Sequence, residues 1–294
     1  MSRLRAISPT KEALSKPKML LYGRSGIGKT TFCLQFPKPY YIDTEDGASF
    51  PDYQDLLQKS GGAYYGVKQG SLLFDEVIEE VKALCSEKHE YKTLVIDSIT
   101  KIQDICINSE QERLKKTGTR NAFGADRKPA ISYMRQLIAW ISKLDMTVVL
   151  ICHEKNEWGT DKHGTRTEIG KTFDGWEKIE YELDLALNII ERDGKRYASV
   201  RSSRLNSLKE GSFFDFSYDA FAKLYGEDII TRQTVPLVLA TKEQVDEITK
   251  LLSVVQLPEK TQEKWLSKAE VQDFSEMTSD QINNCINYLK GKIS

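Results

Sequence analysis

The fold of this chain is decided by one stretch, Gly23-Arg24-Ser25-Gly26-Ile27-Gly28-Lys29-Thr30. The apolar run Met19–Tyr22 precedes this stretch, and a helical pattern over Thr30–Phe36 follows it. Glycines let the backbone curl so that successive N–H groups face inward, and a helix that begins there adds partial positive charge. A strand, a loop and a helix in this order predict a phosphate-binding loop.

The polar residues of the loop predict its ligand. Lys29 is expected to reach the β- and γ-phosphates of a nucleotide, and Thr30 to give its hydroxyl to Mg²⁺. We therefore expect ATP and Mg²⁺ at this loop. The cofactor-binding residues predicted from the motif are Gly23, Arg24, Ser25, Gly26, Ile27, Gly28, Lys29, Thr30 and Thr31.

Two further apolar runs end in acids. Thr93–Ile96 leads into Asp97, which would lie near the phosphate loop in a parallel sheet and act on the Mg²⁺ through a water. The alternative is that Asp97 only caps the helical segment after it.

Tyr40–Ile42 leads into Asp43-Thr44-Glu45, and hydrolysis needs a carboxylate that orients and polarises a water. Glu45 is thus a candidate base, with an ordinary exposed loop acid as the alternative.

Apolar runs alternate with helical patterns from Lys18 to about Val235, which indicates an α/β core with a mainly parallel sheet. The clearest predicted strands are Met19–Tyr22, Tyr40–Asp43, Thr93–Asp97 and Thr147–Cys152, and the clearest helices are Phe74–Cys85 and Pro129–Leu144. Asp193-Gly194, between two strand-like runs, predicts a β-hairpin at one sheet edge. We expect an N-terminal arm at 1–17, a core at 18–235 and a small helical C-terminal module at 241–294.

Composition excludes several classes of protein. With a net charge of −1, the protein has no overall positive field to attract nucleic acid, although a local basic patch is compatible with this net charge. The five cysteines are scattered without a CxxC pair, so neither a disulfide framework nor a zinc site is expected. No apolar run is long enough for a membrane helix, and the first residues lack a hydrophobic signal core. We expect a cytoplasmic protein that does not bind membranes.

In their order and spacing, the loop, the Asp-x-Glu strand end and the Asp-Ser strand end resemble a RecA-type ATPase core, from about Lys18 to Arg204. The resemblance implies that Glu45 is the catalytic glutamate. It also implies that His153, where bacterial RecA has glutamine, senses the γ-phosphate, and that Arg201 and Arg204 reach the ATP of a neighbouring subunit. Tyr53, downstream of the Asp-x-Glu strand, is a candidate to stack on the adenine.

The size and the short helical tail are similar to those of phage-encoded RecA-like ATPases, which are often grouped simply as AAA-family proteins. These act with single-stranded DNA in recombination and strand annealing. The resemblance implies a homo-oligomer, either a filament or a ring, that works in the cytoplasm of a bacterial host. A single-strand-binding protein is a further partner that it suggests.

Two stretches are candidates for single-stranded DNA. The basic stretch Arg113–Lys128 suits phosphate contacts, and a solvated helix end is its alternative. The glycine-rich stretch Asn156–Trp176 is predicted as a long mobile loop whose aromatic residues, Phe173 among them, stack on bases, or else lie buried at the sheet edge. The predicted DNA-binding residues are Lys115, Lys116, Arg120, Phe123, Trp158, Lys162 and Arg166.

Two other functions are compatible with the same sequence. One is a binding protein in which ATP is only a switch, with little turnover. The other is a small-molecule kinase built on the same loop, which should carry a lid with clustered arginines, and no clear lid is evident in the sequence.

Overall fold

The computed structural model describes residues 14–118 and 124–293. Its strands are β1 (Lys18–Gly23), β2 (Pro39–Asp43), β3 (Ala63–Tyr65), β4 (Thr93–Asp97), β5 (Thr147–Thr160), β6 (Arg166–Asp174), β7 (Leu185–Arg192), β8 (Lys195–Ser203) and β9 (Phe213–Asp215). Its helices are α1 (Lys29–Cys33), α2 (Pro51–Ser60), α3 (Phe74–Ser86), α4 (Ile99–Lys116), α5 (Arg127–Lys143), α6 (Ile179–Glu182), α7 (Tyr218–Tyr225), α8 (Glu227–Thr231), α9 (Lys242–Val254), α10 (Thr261–Ala269) and α11 (Ser279–Ile293).

One sheet organises the core, with the strand order β3-β2-β4-β5-β1-β7-β8-β9. The strands from β3 to β7 in this order pair in parallel, whereas β8 and β9 are antiparallel, and β6 pairs antiparallel with β5. The predicted α/β class with a mostly parallel sheet is confirmed. Because β5 lies between β1 and β4, the phosphate loop and Asp97 belong to strands that are not neighbours.

Both faces of β1, β4 and the first half of β5 are buried, which explains why these segments are continuous apolar runs. On β4, Leu94 and Ile96 pack with α3, α4 and α5 on one face, whereas Val95 packs on the other face with the aromatic residues Phe32 and Phe221. The helix after the phosphate loop ends at Cys33, short of the predicted Phe36, because Pro37 and Pro39 follow and proline disfavours helix before it.

The hairpin predicted from Asp193-Gly194 is confirmed as β7 and β8. Both residues have positive φ, 51° for Asp193 and 72° for Gly194, as the tight turn of a two-residue hairpin requires. This hairpin extends the sheet beyond β1, and it places the end of β7 beside the beginning of the phosphate loop, where Gly23 pairs with Ile189.

The stretch from Asn156 to Trp176 is not the structureless loop that its glycines suggested. β5 continues to Thr160 and pairs with β6 in an antiparallel hairpin, whose turn is closed by Asp161 accepting N–H groups of His163 and Thr165, each at 2.8 Å. Cross-strand pairing satisfies the backbone groups that a long loop would leave open. Phe173 and Trp176 are buried at its base, whereas Trp158 is half exposed, so only part of the predicted stacking surface is available.

The basic stretch Arg113–Lys128 is also not one loop. It begins in the last turn of α4, and its end lies in the first turn of α5. Lys115 and Lys116 are therefore helical, because the α4 helix continues through the charged run. The predicted contacts Arg120 and Phe123 fall outside the described residues.

The C-terminal helices α9, α10 and α11 enclose an apolar cluster of their own around Ile248, Ile282 and Leu289. A capping box formed by Thr241 and Gln244 opens α9. Of these helices, α10 also contacts the core, since Lys143 on α5 donates to the carbonyl of Ala269 (2.9 Å).

The end of the predicted N-terminal arm touches the core as well. The side chain of Lys16 is buried and donates to the carbonyl of Asp145 at 3.0 Å. All five cysteines are unpaired. Within residues 14–118 and 124–293, no helix has the length and apolar character needed to cross a bilayer.

The burial of Phe173 distinguishes a structural aromatic residue from an exposed one. Its ring contacts that of Tyr22 edge-on, with 5.9 Å between centroids. Phe173→Ala should lower the free energy of unfolding by about 3 kcal/mol, because it leaves a cavity in the core. Trp158→Ala, on the exposed part of the same hairpin, should lower it by less than about 1 kcal/mol. Chemical denaturation of both variants checks this, and equal losses would contradict the placement of Phe173.

Candidate functional site

A cleft of about 730 Å³ opens at the carboxyl ends of β1, β2, β4 and β5. Parallel strands bring their carboxyl ends to one edge of the sheet, so residues distant in sequence meet there. Of the predicted cofactor-binding residues, those that line the cleft are Gly23, Arg24, Ser25, Gly26, Gly28, Lys29, Thr30, Thr31 and Tyr53. Ile27 is the exception, because its side chain is buried in the core beneath the loop.

The phosphate loop has the open, curled backbone that the motif requires. Gly26 and Gly28 have φ values of 74° and 97°, which other residues rarely adopt. The Lys29 ammonium folds over the loop and donates to the carbonyls of Gly23 (2.8 Å) and Arg24 (3.0 Å). Burial lowers the pKa of Lys29, while the charge of Asp97 works in the opposite direction. A partly desolvated cation is thus held at the place where an anion would enter.

Thr30 and Asp97 meet across the intervening strand β5. The hydroxyl of Thr30 donates to Oδ2 of Asp97 at 2.6 Å. Burial raises the pKa of Asp97 to about 6, although the hydrogen bond from Thr30 opposes this rise. A hydroxyl and a carboxylate oxygen are the hard ligands that Mg²⁺ prefers. The described residues contain no group of three or more His, Cys, Asp or Glu suited to a metal, so Mg²⁺ here would take its remaining ligands from phosphate and water.

The cap of helix α4 is Ser98 rather than Asp97. The Ser98 hydroxyl accepts the backbone N–H of Lys101 at 3.3 Å, which leaves the Asp97 carboxylate directed at Thr30. The peptide bond between Asp97 and Ser98 is cis. Of the two alternatives for Asp97, the geometry therefore favours a ligand in the cleft over a helix cap.

Glu45 lies in the cleft and is held by three partners. Its Oε1 accepts the Ser98 hydroxyl (2.8 Å) and lies 2.9 Å from Nε2 of His153, while its Oε2 pairs with the Lys101 ammonium at 2.9 Å. Burial works to raise the pKa of Glu45, but the hydrogen bonds from Lys101, Ser98 and His153 outweigh it and hold the pKa below its usual range. Glu45 is therefore an oriented, ionised carboxylate.

His153 reaches Glu45 from the neighbouring strand. It follows the buried part of β5, and its backbone N–H donates to the Thr100 hydroxyl at 3.0 Å. With an ionised carboxylate as partner, Nε2 of His153 is the ring nitrogen that carries a hydrogen, and it donates a hydrogen bond to Glu45. The structure thus brings together the two residues that the resemblance assigned to water activation and γ-phosphate sensing.

Asp43 is a site residue to which the sequence assigned no role. Its buried carboxylate accepts the backbone N–H groups of Glu45 (3.1 Å), Gly47 (3.0 Å) and Ala48 (2.7 Å). A carboxylate with three amide donors fixes the loop that carries Glu45. The short acidic run before a glycine was the only sequence signal for this turn.

Lys101 and Phe50 were also missed. Lys101 lies on the first turn of α4, three residues after Ser98, and only the strand order places it beside Glu45.

Phe50 lines the cleft near Tyr53, with ring centroids 6.3 Å apart, and 61% of Phe50 is exposed. No periodicity marks an exposed aromatic residue as part of a cleft, so sequence reasoning had no signal for it.

Arg201 and Arg204 lie outside this cleft and bond within their own chain. The Arg201 guanidinium pairs with Glu157 at 3.2 Å and with Glu180 at 3.4 Å, and these interactions raise its pKa further. Arg204 donates to the carbonyl of Tyr181. For Arg201 to reach a neighbouring subunit, its guanidinium would have to leave the carboxylates of Glu157 and Glu180.

The candidate DNA residues divide between two surfaces. On the β5–β6 hairpin, the Arg166 guanidinium lies over the Trp158 ring, 4.8 Å from its centroid, and Lys162 is exposed in the turn. At the end of α4, Lys115 pairs with Glu112 at 2.6 Å, and Lys116 is exposed. The hairpin therefore presents an aromatic ring and a cation together at its surface. At the end of α4, by contrast, the charge of Lys115 is already paired with Glu112.

Comparison with known proteins shows the family of the chain. A family model described as an AAA domain matches residues 15–210, which is well over half of the 294-residue chain. The match includes the phosphate loop, both acidic strand ends, and the β5–β6 and β7–β8 hairpins. A search among curated proteins finds no match.

Proposed function

Because the chain belongs to the AAA-domain family of P-loop ATPases, we propose that its cleft binds ATP with Mg²⁺ and hydrolyses it to ADP and phosphate. The observation that carries this proposal is the meeting of Lys29, the Thr30–Asp97 pair and Glu45 around one cleft. Each of these is a residue type that phosphoryl transfer to water requires, and they come from three strand ends.

The loop supplies binding and charge neutralisation. Backbone N–H groups around Gly26 and Gly28 surround the phosphates, and the Lys29 ammonium exchanges its carbonyl partners for phosphate oxygens. Thr30 and Asp97 would hold Mg²⁺, Asp97 through a water, and the ion would neutralise charge on the β- and γ-phosphates. A divalent cation next to the buried Asp97 carboxylate also favours its ionised form.

Glu45 acts on the attacking water. Its carboxylate orients the water and accepts a proton as the water oxygen bonds to the γ-phosphorus and the bond to the β-phosphate bridging oxygen breaks. The lowered pKa keeps Glu45 ionised at neutral pH but makes it a weak base, so orientation is its main contribution. His153, bonded to the same oxygen, links the state of the γ-phosphate to strand β5.

The finer function that we propose is action on single-stranded DNA in recombination or annealing, in an oligomer of this chain. The exposed Trp158–Arg166 pair supports it, because stacking platforms beside cations suit single strands. The hairpin that carries the pair is the continuation of the strand that carries His153, which gives a direct physical connection between nucleotide and DNA.

The ion pair between Lys101 and Glu45 favours a second candidate, an ATP-dependent switch with little turnover. A carboxylate that is already held by an ammonium is less available to water. Measuring kcat with and without single-stranded DNA separates the two candidates, since a DNA-dependent ATPase should accelerate and a simple switch should stay slow.

Lys29→Ala should weaken ATP binding at least roughly tenfold, because it removes a charge-assisted hydrogen bond to the phosphates. The thermal stability of the variant should not fall, since the ammonium is partly desolvated in the free protein. Equilibrium titration with ATP and Mg²⁺ measures the effect, with Lys59→Ala, an exposed change on α2, as the control. Unaltered ATP affinity in Lys29→Ala would refute the proposed nucleotide site.

Glu45→Gln should lower kcat by about 10²-fold or more while the Kd for ATP changes only a few-fold, because the carboxylate acts on the water rather than on the bound phosphates. Steady-state phosphate release and ATP titration measure the two quantities. The neighbouring exposed carboxylate provides the control, and Asp46→Asn should leave kcat unchanged. Equal rates for wild type and Glu45→Gln would place the base elsewhere.

Trp158→Ala should weaken binding of a single-stranded oligonucleotide by about 1–3 kcal/mol for each stacked base, with the salt slope unchanged. Lys162→Gln with Arg166→Gln should instead flatten the slope by about 0.7 for each phosphate that the protein no longer neutralises. Fluorescence anisotropy at several salt concentrations measures both. Phe213→Ala, an exposed aromatic change on β9, is the control, and a weakening confined to Lys115→Ala with Lys116→Ala would move the DNA surface to α4.

A further inference from the structure

The β7–β8 hairpin touches the phosphate loop at both of its ends, although no nucleotide-binding motif includes this hairpin. At the beginning of the loop, the Arg24 guanidinium pairs with Glu191 of β7 at 2.5 Å. Near its end, Nη1 of Arg196 on β8 donates to the carbonyl of Ile27 at 3.1 Å. Glu191 and Arg196 face each other in the β7–β8 register, so one cross-strand pair makes both contacts.

The Arg196 guanidinium lies directly against the loop. A Cβ placed on Gly28 would come 2.5 Å from Nη1 of Arg196, which leaves no space between them. Among the residues that the structure describes, Arg196 has no carboxylate partner, in contrast to Arg24 and Arg201. Its guanidinium is therefore directed to the backbone of the loop rather than to an acid.

The loop is the kind of segment that needs an external support. Its three glycines all hold positive φ, and glycine has the largest conformational freedom to lose when a backbone is ordered. A loop that is already fixed in its binding shape avoids that ordering cost when a ligand arrives. A contact that fixes the loop in the free protein should therefore increase affinity for any phosphate chain that the loop encloses.

We propose that Glu191 and Arg196 form a two-point clamp that holds the phosphate loop in its phosphate-binding shape, with Arg196 as the main positioning residue. This inference rests on the proposed ATP site and names residues outside its motif. Arg196 acts through the backbone of Ile27 and Gly28 rather than on the γ-phosphate, so ATP and ADP depend on it equally.

The two contacts differ in strength. The Arg24 and Glu191 side chains are 59% and 40% exposed, and an exposed ion pair contributes little because water and salt screen it. Arg196 is also exposed, but its bond ends on the backbone carbonyl of the buried residue Ile27, and a charge-assisted bond to a fixed carbonyl is a stronger type of contact. Removing Arg196 should therefore matter much more than removing the charge of Glu191.

The test compares Arg196→Met, Arg196→Lys, Glu191→Gln and the matched control Lys195→Met in the full chain. Lys195 precedes Arg196 on β8 and has an exposed side chain, so its replacement removes the same charge without affecting the loop. The first measurement is amide hydrogen exchange of a peptide covering residues 23–29, without nucleotide. The second is the Kd for ATP and for ADP with Mg²⁺.

Arg196→Met should accelerate exchange in the loop and weaken ATP and ADP by roughly tenfold each, equivalent to about 1.4 kcal/mol. Arg196→Lys should recover part of the affinity, Glu191→Gln should change it less than about threefold, and Lys195→Met should match wild type. At saturating ATP, kcat should change less than Kd, because the clamp acts on binding.

Loop exchange in Arg196→Met equal to that of wild type would overturn the clamp. An affinity decrease as large in Lys195→Met would overturn it too, because net charge would then be the cause, and so would a lower kcat with unchanged Kd. A wild-type protein that binds neither nucleotide would instead refute the proposed ATP site, while the exchange of the free loop would still decide whether the clamp exists.

Discussion

The parallel alignment of β1, β2, β4 and β5 is the constraint on which the rest of the structure depends. These strands are buried on both faces, and their carboxyl ends meet at one edge of the sheet. The Thr30–Asp97 hydrogen bond crosses that edge over the end of β5. Any change that shifted one strand along its neighbours would separate these groups, so the apolar packing far from the cleft determines the geometry inside it.

The electrostatics of the cleft follow from this convergence. The carboxylates of Asp43, Asp97 and Glu45 lie in or beside the cleft, and each of them has a different environment. Asp43 accepts backbone amides, Asp97 is buried and accepts the hydroxyls of Thr30 and Tyr41, and Glu45 is held by a lysine, a serine and a histidine. Burial raises the pKa of Asp97, whereas hydrogen bonding lowers that of Glu45. Two similar side chains are thereby suited to different tasks, one to a metal and one to a water.

The hairpins outside the cleft connect it to other surfaces. β5 begins in the core, passes Glu45 at His153 and continues into the exposed hairpin that carries Trp158. β8 contacts the phosphate loop through Arg196 and contacts β5 through the Arg201–Glu157 pair. Two antiparallel additions to a parallel sheet thus link the cleft with the exposed hairpin that we propose as the DNA surface.

Much of this could be predicted from the sequence, because the signals are local. The phosphate loop requires glycines at fixed spacing, the strands require continuous apolar runs, and the turn at Asp193-Gly194 requires positive φ, so each pattern indicated its structure directly. The acids at 45 and 97 were recognisable because they follow buried strands. The β5–β6 hairpin was mistaken for a loop because its glycines gave a stronger local signal than its weak alternation.

Tertiary structure alone decided which distant groups meet. Lys101 and Arg196 lie on elements far along the chain from their partners, and nothing near them in the chain shows that Lys101 contacts Glu45 or that Arg196 contacts the phosphate loop. The same is true of burial, which separates Phe173 from Trp158 although both lie on one hairpin. Local patterns depend on neighbours within a few residues, whereas these contacts depend on strand order and register, which are set by packing of the whole sheet.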